Sequence, residues 1–110
     1  MIKVVIKRNS KGKIVGFSIN GHAGFAKHGE DIVCAAVSVL AQTAVIGIHD
    51  YAKVNCQFNI DDGKLECKIP CDISNEKRVQ TDAILETMAL GLKNIKEGYS
   101  SYIKIKEEEV

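Results

Sequence analysis

The chain has 110 residues, 45% of them hydrophobic, which is enough for one domain with its own core and too few for two. Fifteen basic side chains against 14 acidic ones leave a formal charge of +1, so there is no general electrostatic reason to bind nucleic acid or an anionic membrane. Tryptophan is absent, aromatics are few and no arginine-rich tract occurs, which removes most of the support for an RNA-binding surface.

The N-terminal run Met1-Ile2-Lys3-Val4-Val5-Ile6 alternates and lacks the long apolar core of a signal peptide. With nothing directing export, Cys34, Cys56, Cys67 and Cys71 are expected as thiols in a cytoplasmic protein, not as a disulfide framework. Ile2, Val4 and Ile6 have the period of a half-buried strand, as do Val15, Phe17 and Ile19. Asn9-Ser10-Lys11-Gly12 between them is turn-forming, and a four-residue loop there pairs Ile6 with Val15, Val4 with Phe17 and Ile2 with Ile19. The second strand ends at Asn20, which delivers His22 to the edge of the sheet.

A glycine-rich loop follows, and then a helix from Ile32 to about Tyr51. Asp31 is a good N-cap, able to accept from the free amides two or three residues on. The helix is apolar on nearly every side, so more than one face is expected to be covered. The sheet covers one side, and the second helix or another subunit the other; a homodimer is the expectation. Ser38, Gln42 and Thr43 interrupt the apolar run from Ile32 to Ile48, which falls short of the roughly 20 residues a membrane span needs.

Val54, Cys56, Phe58 and Ile60 alternate up to the two-residue turn Asp62-Gly63, and Leu65, Cys67 and Ile69 alternate back. That register pairs Ile60 with Leu65, Phe58 with Cys67 and Cys56 with Ile69, and makes Cys56 and Cys67 diagonal neighbours in one apolar layer. Ser74 is the expected N-cap of a second helix running to Lys96, with Ile84, Leu85, Met88, Leu92 and Ile95 as its core stripe and Gly98 as the stop. Ser101 to Lys106 is the last strand, and Glu107-Glu108-Glu109 reads as a solvated tail. The order ββαββαβ predicts an α+β two-layer sandwich, a mostly antiparallel sheet with two helices.

The chemistry concentrates between Gly21 and Leu40. Cys34 falls at the third helical position, where unpaired amides and the positive end of the helix dipole favour an anion; Asp31, a nearby negative charge, opposes this. His22 precedes it by 34 − 22 = 12 residues, and a loop with Gly21, Gly24 and Gly29 can fold back across the helix start. A histidine within reach of a cysteine is the minimum for thiol nucleophilic catalysis. Against this stands the ordinary role of a helical cysteine among Ile32, Val33, Ala35 and Ala36, a small buried hydrophobe. His28 reads as a solvated loop residue, and His49 as a partner for the helix C-terminus. No set of His and Cys residues, nor the pair Cys67 and Cys71, has the close spacing of a structural zinc site, and no phosphate loop is present, so neither metal nor cofactor is expected.

The run Gly21-His22-Ala23-Gly24, followed after a short loop by Asp31-Ile32-Val33-Cys34-Ala35-Ala36-Val37-Ser38, closely resembles the ribosomal-processing cysteine proteases of bacteria. Length and element order match over the whole chain. The resemblance implies a protease that removes a short hydrophobic N-terminal extension from large-subunit ribosomal protein twenty-seven, with His22 and Cys34 as its catalytic pair. Free amides at the helix start are then candidates for stabilising the oxyanion. Asp31 either orients His22 or only caps the helix. Gly21, Ala23, Gly24 and Ser38 are candidate loop and substrate contacts, and Ala23 to Phe25 a cover for the cleft. The competing class is a non-enzymatic ribosome-associated binding or assembly domain, in which Cys34 is packing and the loop a contact surface. A thiol redox protein would need a resolving cysteine near Cys34, and Cys56 and Cys67 lie in the predicted core.

Overall fold

The computed structural model describes residues 1–27 and 30–110. Its elements are β1 (Ile2–Arg8), β2 (Ile14–Asn20), α1 (Ile32–Ile46) continued by a π-helical turn (Gly47–Tyr51), β3 (Gln57–Asp61), β4 (Lys64–Lys68), α2 (Asn75–Gly98) and β5 (Ile103–Glu109). The order is ββαββαβ, and the fold is the expected α+β sandwich. The five strands form one sheet in the order β3-β4-β2-β1-β5, antiparallel throughout except that β5 runs parallel to β1.

Alternation decides which face of the sheet is covered. Ile2, Val4 and Ile6 of β1, Phe17 and Ile19 of β2 and Leu65 and Cys67 of β4 are all buried. The intervening Lys3, Lys7, Lys64, Glu66 and Lys68 are exposed, so both helices lie on one side. α1 contributes Val33, Val37, Ala41, Ala44 and Val45 to the shared core, and α2 contributes Leu85, Met88, Ala89 and Leu92. Both N-caps are as the sequence reading has them: Asp31 accepts from the N–H groups of Val33 and Cys34, and Ser74 from that of Lys77. Arg8 at the end of β1 grips both carboxylate oxygens of Glu86 on α2, at 2.7 and 3.0 Å, and ties the two layers together.

Four details differ from expectation. The first hairpin pairs Val4 with Ile19 and Ile6 with Phe17, two residues away from the predicted register. Asn9 organises a longer connection, its Oδ1 accepting from the N–H groups of Lys11 and Lys13, and a bulge next to Arg8 takes up the extra residue. A slip of two leaves every side chain on its own face. The second hairpin has the predicted pairs Ile60 with Leu65 and Phe58 with Cys67, but β3 begins only at Gln57 and is exposed along its whole length, because it is an edge strand beyond the helices. Glu107 to Glu109 are not a solvated tail. They complete β5, where Glu107 meets Arg8 at 3.2 Å and Lys93 at 3.4 Å and Glu108 meets Lys106 at 3.5 Å. Finally, the helical stretch Ile32–Tyr51 does reach 20 residues and is apolar enough to cross a membrane by length and composition. Here its inner face packs on the sheet and α2.

Candidate active site

β2 ends beside the turn that joins β3 to β4, because β2 and β4 are neighbours and Asn20 pairs with Lys64. Gly21 takes the chain out of the sheet with φ +92°, where a side chain would stand 2.5 Å from the Met1 carbonyl oxygen. Only glycine fits there. Its N–H donates to the Gly63 carbonyl at 2.8 Å, which fixes the start of the loop to the hairpin turn. His22, the next residue, consequently lies against that turn, with Nε2 3.9 Å from Asp62 Oδ1.

From His22 the loop runs to the start of α1. Ala23 is buried, and its N–H donates to the Cys34 sulfur at 3.1 Å. Cys34 is partly buried on the first turn of α1, at the predicted third position. Asp31 is buried, and all four of its described contacts are with backbone N–H groups. Oδ1 accepts from Val33 and Cys34, both at 3.0 Å, and Oδ2 from Phe25 at 3.0 Å and Ala26 at 3.4 Å. The N–H of Cys34 above all holds the Asp31 carboxyl below its usual range, with Ala26, Phe25 and Val33 adding and burial opposing. One carboxylate therefore caps the helix with one oxygen and pins the loop with the other. Phe25 adds a second anchor, its ring meeting Tyr99 and Tyr102 edge-on at 5.6 and 5.3 Å between centroids.

Three of the helix-start amides expected to be free for an oxyanion are engaged. Those of Val33 and Cys34 are bonded to the Asp31 side chain and that of Ala35 to the Asp31 carbonyl.

His22, Cys34 and Ser38 open onto one cleft of about 710 Å³, together with Gly21, Gly24 and Asp31. Its floor is apolar, made by Ile2, Ile19, Ile60 and Leu65, and its rim carries Asp61, Asp62 and Lys64. Ser38 accepts from Gln42 Nε2 at 2.7 Å and faces the cleft, rather than bonding back to a helix carbonyl. Every candidate contact except Ala23 lines this space, and Ala23 is tied to it through the bond of its N–H to the Cys34 sulfur. Reading the sequence as separate elements missed the contribution of the β3–β4 turn and of Ile60; the signal available was the Asp62-Gly63 turn, read only as a hairpin. His28 lies outside the described residues. His49 is exposed in the π-helical turn, with Nδ1 2.7 Å from Asp50 Oδ1. Cys67 faces Cys56 in the core and Cys71 is exposed, so Cys67 and Cys71 do not act as a pair.

A loop-borne histidine and a helix-start cysteine opening onto a peptide-sized cleft with an apolar floor are what a thiol peptidase requires, and the comparison with known proteins agrees. Residues 1–104 match the family model for cysteine protease Prp. The chain belongs to that family. It is 30% identical over 107 residues to the ribosomal processing cysteine protease Prp of Bacillus subtilis, covering 96% of each chain. Among solved structures it is similar to the essential ribosomal processing protease Prp from S. aureus bound to a covalently linked product peptide, with a TM-score of 0.88 and 30% identity over 98% of this chain and all of that one. The same S. aureus protease with a substrate peptide gives a TM-score of 0.83 at 28% identity, with the same coverage. Prp membership makes the chain a cysteine protease and leaves the non-enzymatic binding-domain reading without support.

Proposed function

We propose that this Prp-family protease removes the hydrophobic N-terminal extension of large-subunit ribosomal protein twenty-seven, using Cys34 as nucleophile and His22 as general base. The observation that carries this reading is local: His22 and Cys34 open onto the same cleft, and the residue that follows His22, Ala23, donates its N–H to the sulfur. The ribosomal substrate is supported by what the similar proteases are named for, and a hydrophobic extension by the apolar floor of Ile2, Ile19, Ile60 and Leu65.

In the reaction, His22 takes the Cys34 thiol proton and the thiolate attacks the scissile carbonyl. Negative charge then gathers on the carbonyl oxygen next to the sulfur, on the side where the Ala23 N–H points. That amide already donates to the sulfur and would shift to the adjacent oxygen as charge builds there, whereas those of Val33, Cys34 and Ala35 are held by Asp31. His22 returns the proton to the leaving amine, and water releases the acyl group.

The same reading has the protein act in the cytoplasm as a homodimer. A nucleophilic thiol needs reducing surroundings, and Cys56 and Cys67, neighbours in the core, are both free thiols. Ile32, Val39 and Ile46 form an apolar line along the outer face of α1, each more than half exposed, which a second copy would cover. Cell fractionation that finds the protein in the membrane or secreted fraction overturns the location.

The deciding experiment incubates the extended ribosomal protein with the native enzyme and with the Cys34→Ala and His22→Ala forms, and weighs the products. Cleavage at one site by the native protein alone supports the assignment. Cleavage by either variant at the native rate, or none by the native protein, overturns it.

A further inference from the structure

The hairpin turn between β3 and β4 does more than reverse the chain. Two contacts join it to the loop that carries the proposed base, the Gly21 N–H donating to the Gly63 carbonyl at 2.8 Å and His22 Nε2 standing 3.9 Å from Asp62 Oδ1, and the ring lies so close that a Cβ on Gly63 would be 2.9 Å from the same Nε2. Gly63 has φ +69°, so the turn needs glycine for its backbone and the imidazole needs glycine for its room.

We infer that this turn positions His22, with Gly63 as the surface it rests on and Asp62 as the carboxylate that faces Nε2 when the ring is charged. The inference builds on the reading of His22 as base. When Cys34 gives up its proton the imidazole becomes a cation, and the Asp62 carboxylate 3.9 Å from Nε2 is an opposite charge that then attracts it. Asp62 acts through His22 and touches no reacting atom. Of the other charges at the rim, Lys64 is directed to Glu66 at 3.4 Å, and Asp31 is taken up by backbone donors. Asp61 accepts from the Asp62 N–H at 2.8 Å, and so holds the turn. The Asp62 side chain is 82% exposed and that of His22 52%, so solvent and salt weaken their attraction and the effect is several-fold, not thousands-fold.

Asp62→Asn separates charge from shape, because of the two turn residues Gly63 alone has a positive φ and asparagine at position 62 leaves the turn intact. Peptide cleavage is measured for the native enzyme, Asp62→Asn, Gly63→Ala and His22→Ala at low ionic strength and in about 0.5 M salt, where the Debye length shrinks to a few ångströms. For Asp62→Asn the expected result is a loss in kcat of about three- to tenfold at low salt, with KM unchanged, closing to within about twofold at high salt. Gly63→Ala is expected to lower kcat at least about tenfold in both conditions, its new methyl displacing the ring, while the amide spectrum stays that of the folded protein. Native kcat in Asp62→Asn at low salt, or an equal loss at both salts, overturns the inference. Residual native-rate cleavage by His22→Ala instead brings down the reading of His22 as base, and the two failures are told apart by which variant keeps its rate.

Discussion

Asp31 answers four backbone donors with two oxygens, and each pair belongs to a different structure, the helix start on one side and the preceding loop on the other. Asparagine at this position can offer only one acceptor oxygen, and its amide group would face N–H groups across the other side. Asp31→Asn should therefore keep the α1 cap and release the loop at Phe25 and Ala26. The expected outcome is a lower Tm and faster proteolysis between Ala23 and Glu30, read by mass spectrometry of the fragments. The pH dependence has a defined sign. Because the folded-state carboxyl is held below its ordinary value of 3.8, its contribution is fully present above that value and is lost as the pH falls toward the depressed one. The stability gap between the native protein and Asp31→Asn should accordingly close on acidification through that window. Sulfur gives a second test at this scale. Burial, with Cys56 adding, pushes the Cys67 thiol up, whereas Cys34 opens on the cleft and Cys71 is exposed. Iodoacetamide at neutral pH should label Cys34 and Cys71 in the native protein and reach Cys56 and Cys67 only after unfolding; early labelling of Cys67 would contradict its buried place. The Asp31 cap was legible in the sequence because its partners are two and three residues away. The meeting of Asp62 with His22, 62 − 22 = 40 residues apart, leaves no local trace.

Elements were legible to the extent that their signals are periodic and short-ranged. Asp62-Gly63 with alternating flanks specifies the second hairpin, and its central pairs are those observed. The first hairpin slipped by two residues because hydrophobic alternation cannot tell registers two apart, while the Asn9 side chain, bonding back to Lys11 and Lys13, selects the longer connection. The exposure of Phe58 and Ile60 was not legible either: alternation marks an apolar face, but only the sheet order leaves β3 outermost, beyond the reach of α1. That placement makes Ile60 part of the cleft floor while it bears little of the fold. Ile60→Asn should raise KM about tenfold, the loss of roughly 1.4 kcal/mol of apolar contact, with kcat within a factor of about two and little change in Tm. A fall in kcat at unchanged KM would assign Ile60 to the chemistry instead of to substrate binding.

At the scale of the molecule, α1 presents its two long faces unequally. Val33, Val37 and Ala41 are sealed against the sheet, and Ile32, Val39 and Ile46 look outward. An apolar line of that length on a two-fold interface would be buried twice over, once from each copy. Light scattering at micromolar concentration should give the mass of a dimer, and Val39→Lys with Ile46→Lys the mass of a monomer that remains folded; a native monomer would remove the dimer. Fold class and element order could be read from the chain because they follow from the sequence of periodicities. The parallel pairing of β5 with β1 could not, since it joins the two ends of the chain, and the acidic run that enters β5 looks like a tail until Arg8 and Lys93 are brought up to it. This end-to-end seam bears on how the protein is made. Of the five strands, translation delivers β1 first and β5 last, and every residue from Ile2 to Arg8 waits for a partner between Ile103 and Glu109. A nascent chain can thus carry its thiol and imidazole while the strand bearing Ile2, under the cleft, is still an open edge. Loss of Ile103–Glu109 would therefore strip β1 of its neighbour on the edge that runs beneath the cleft.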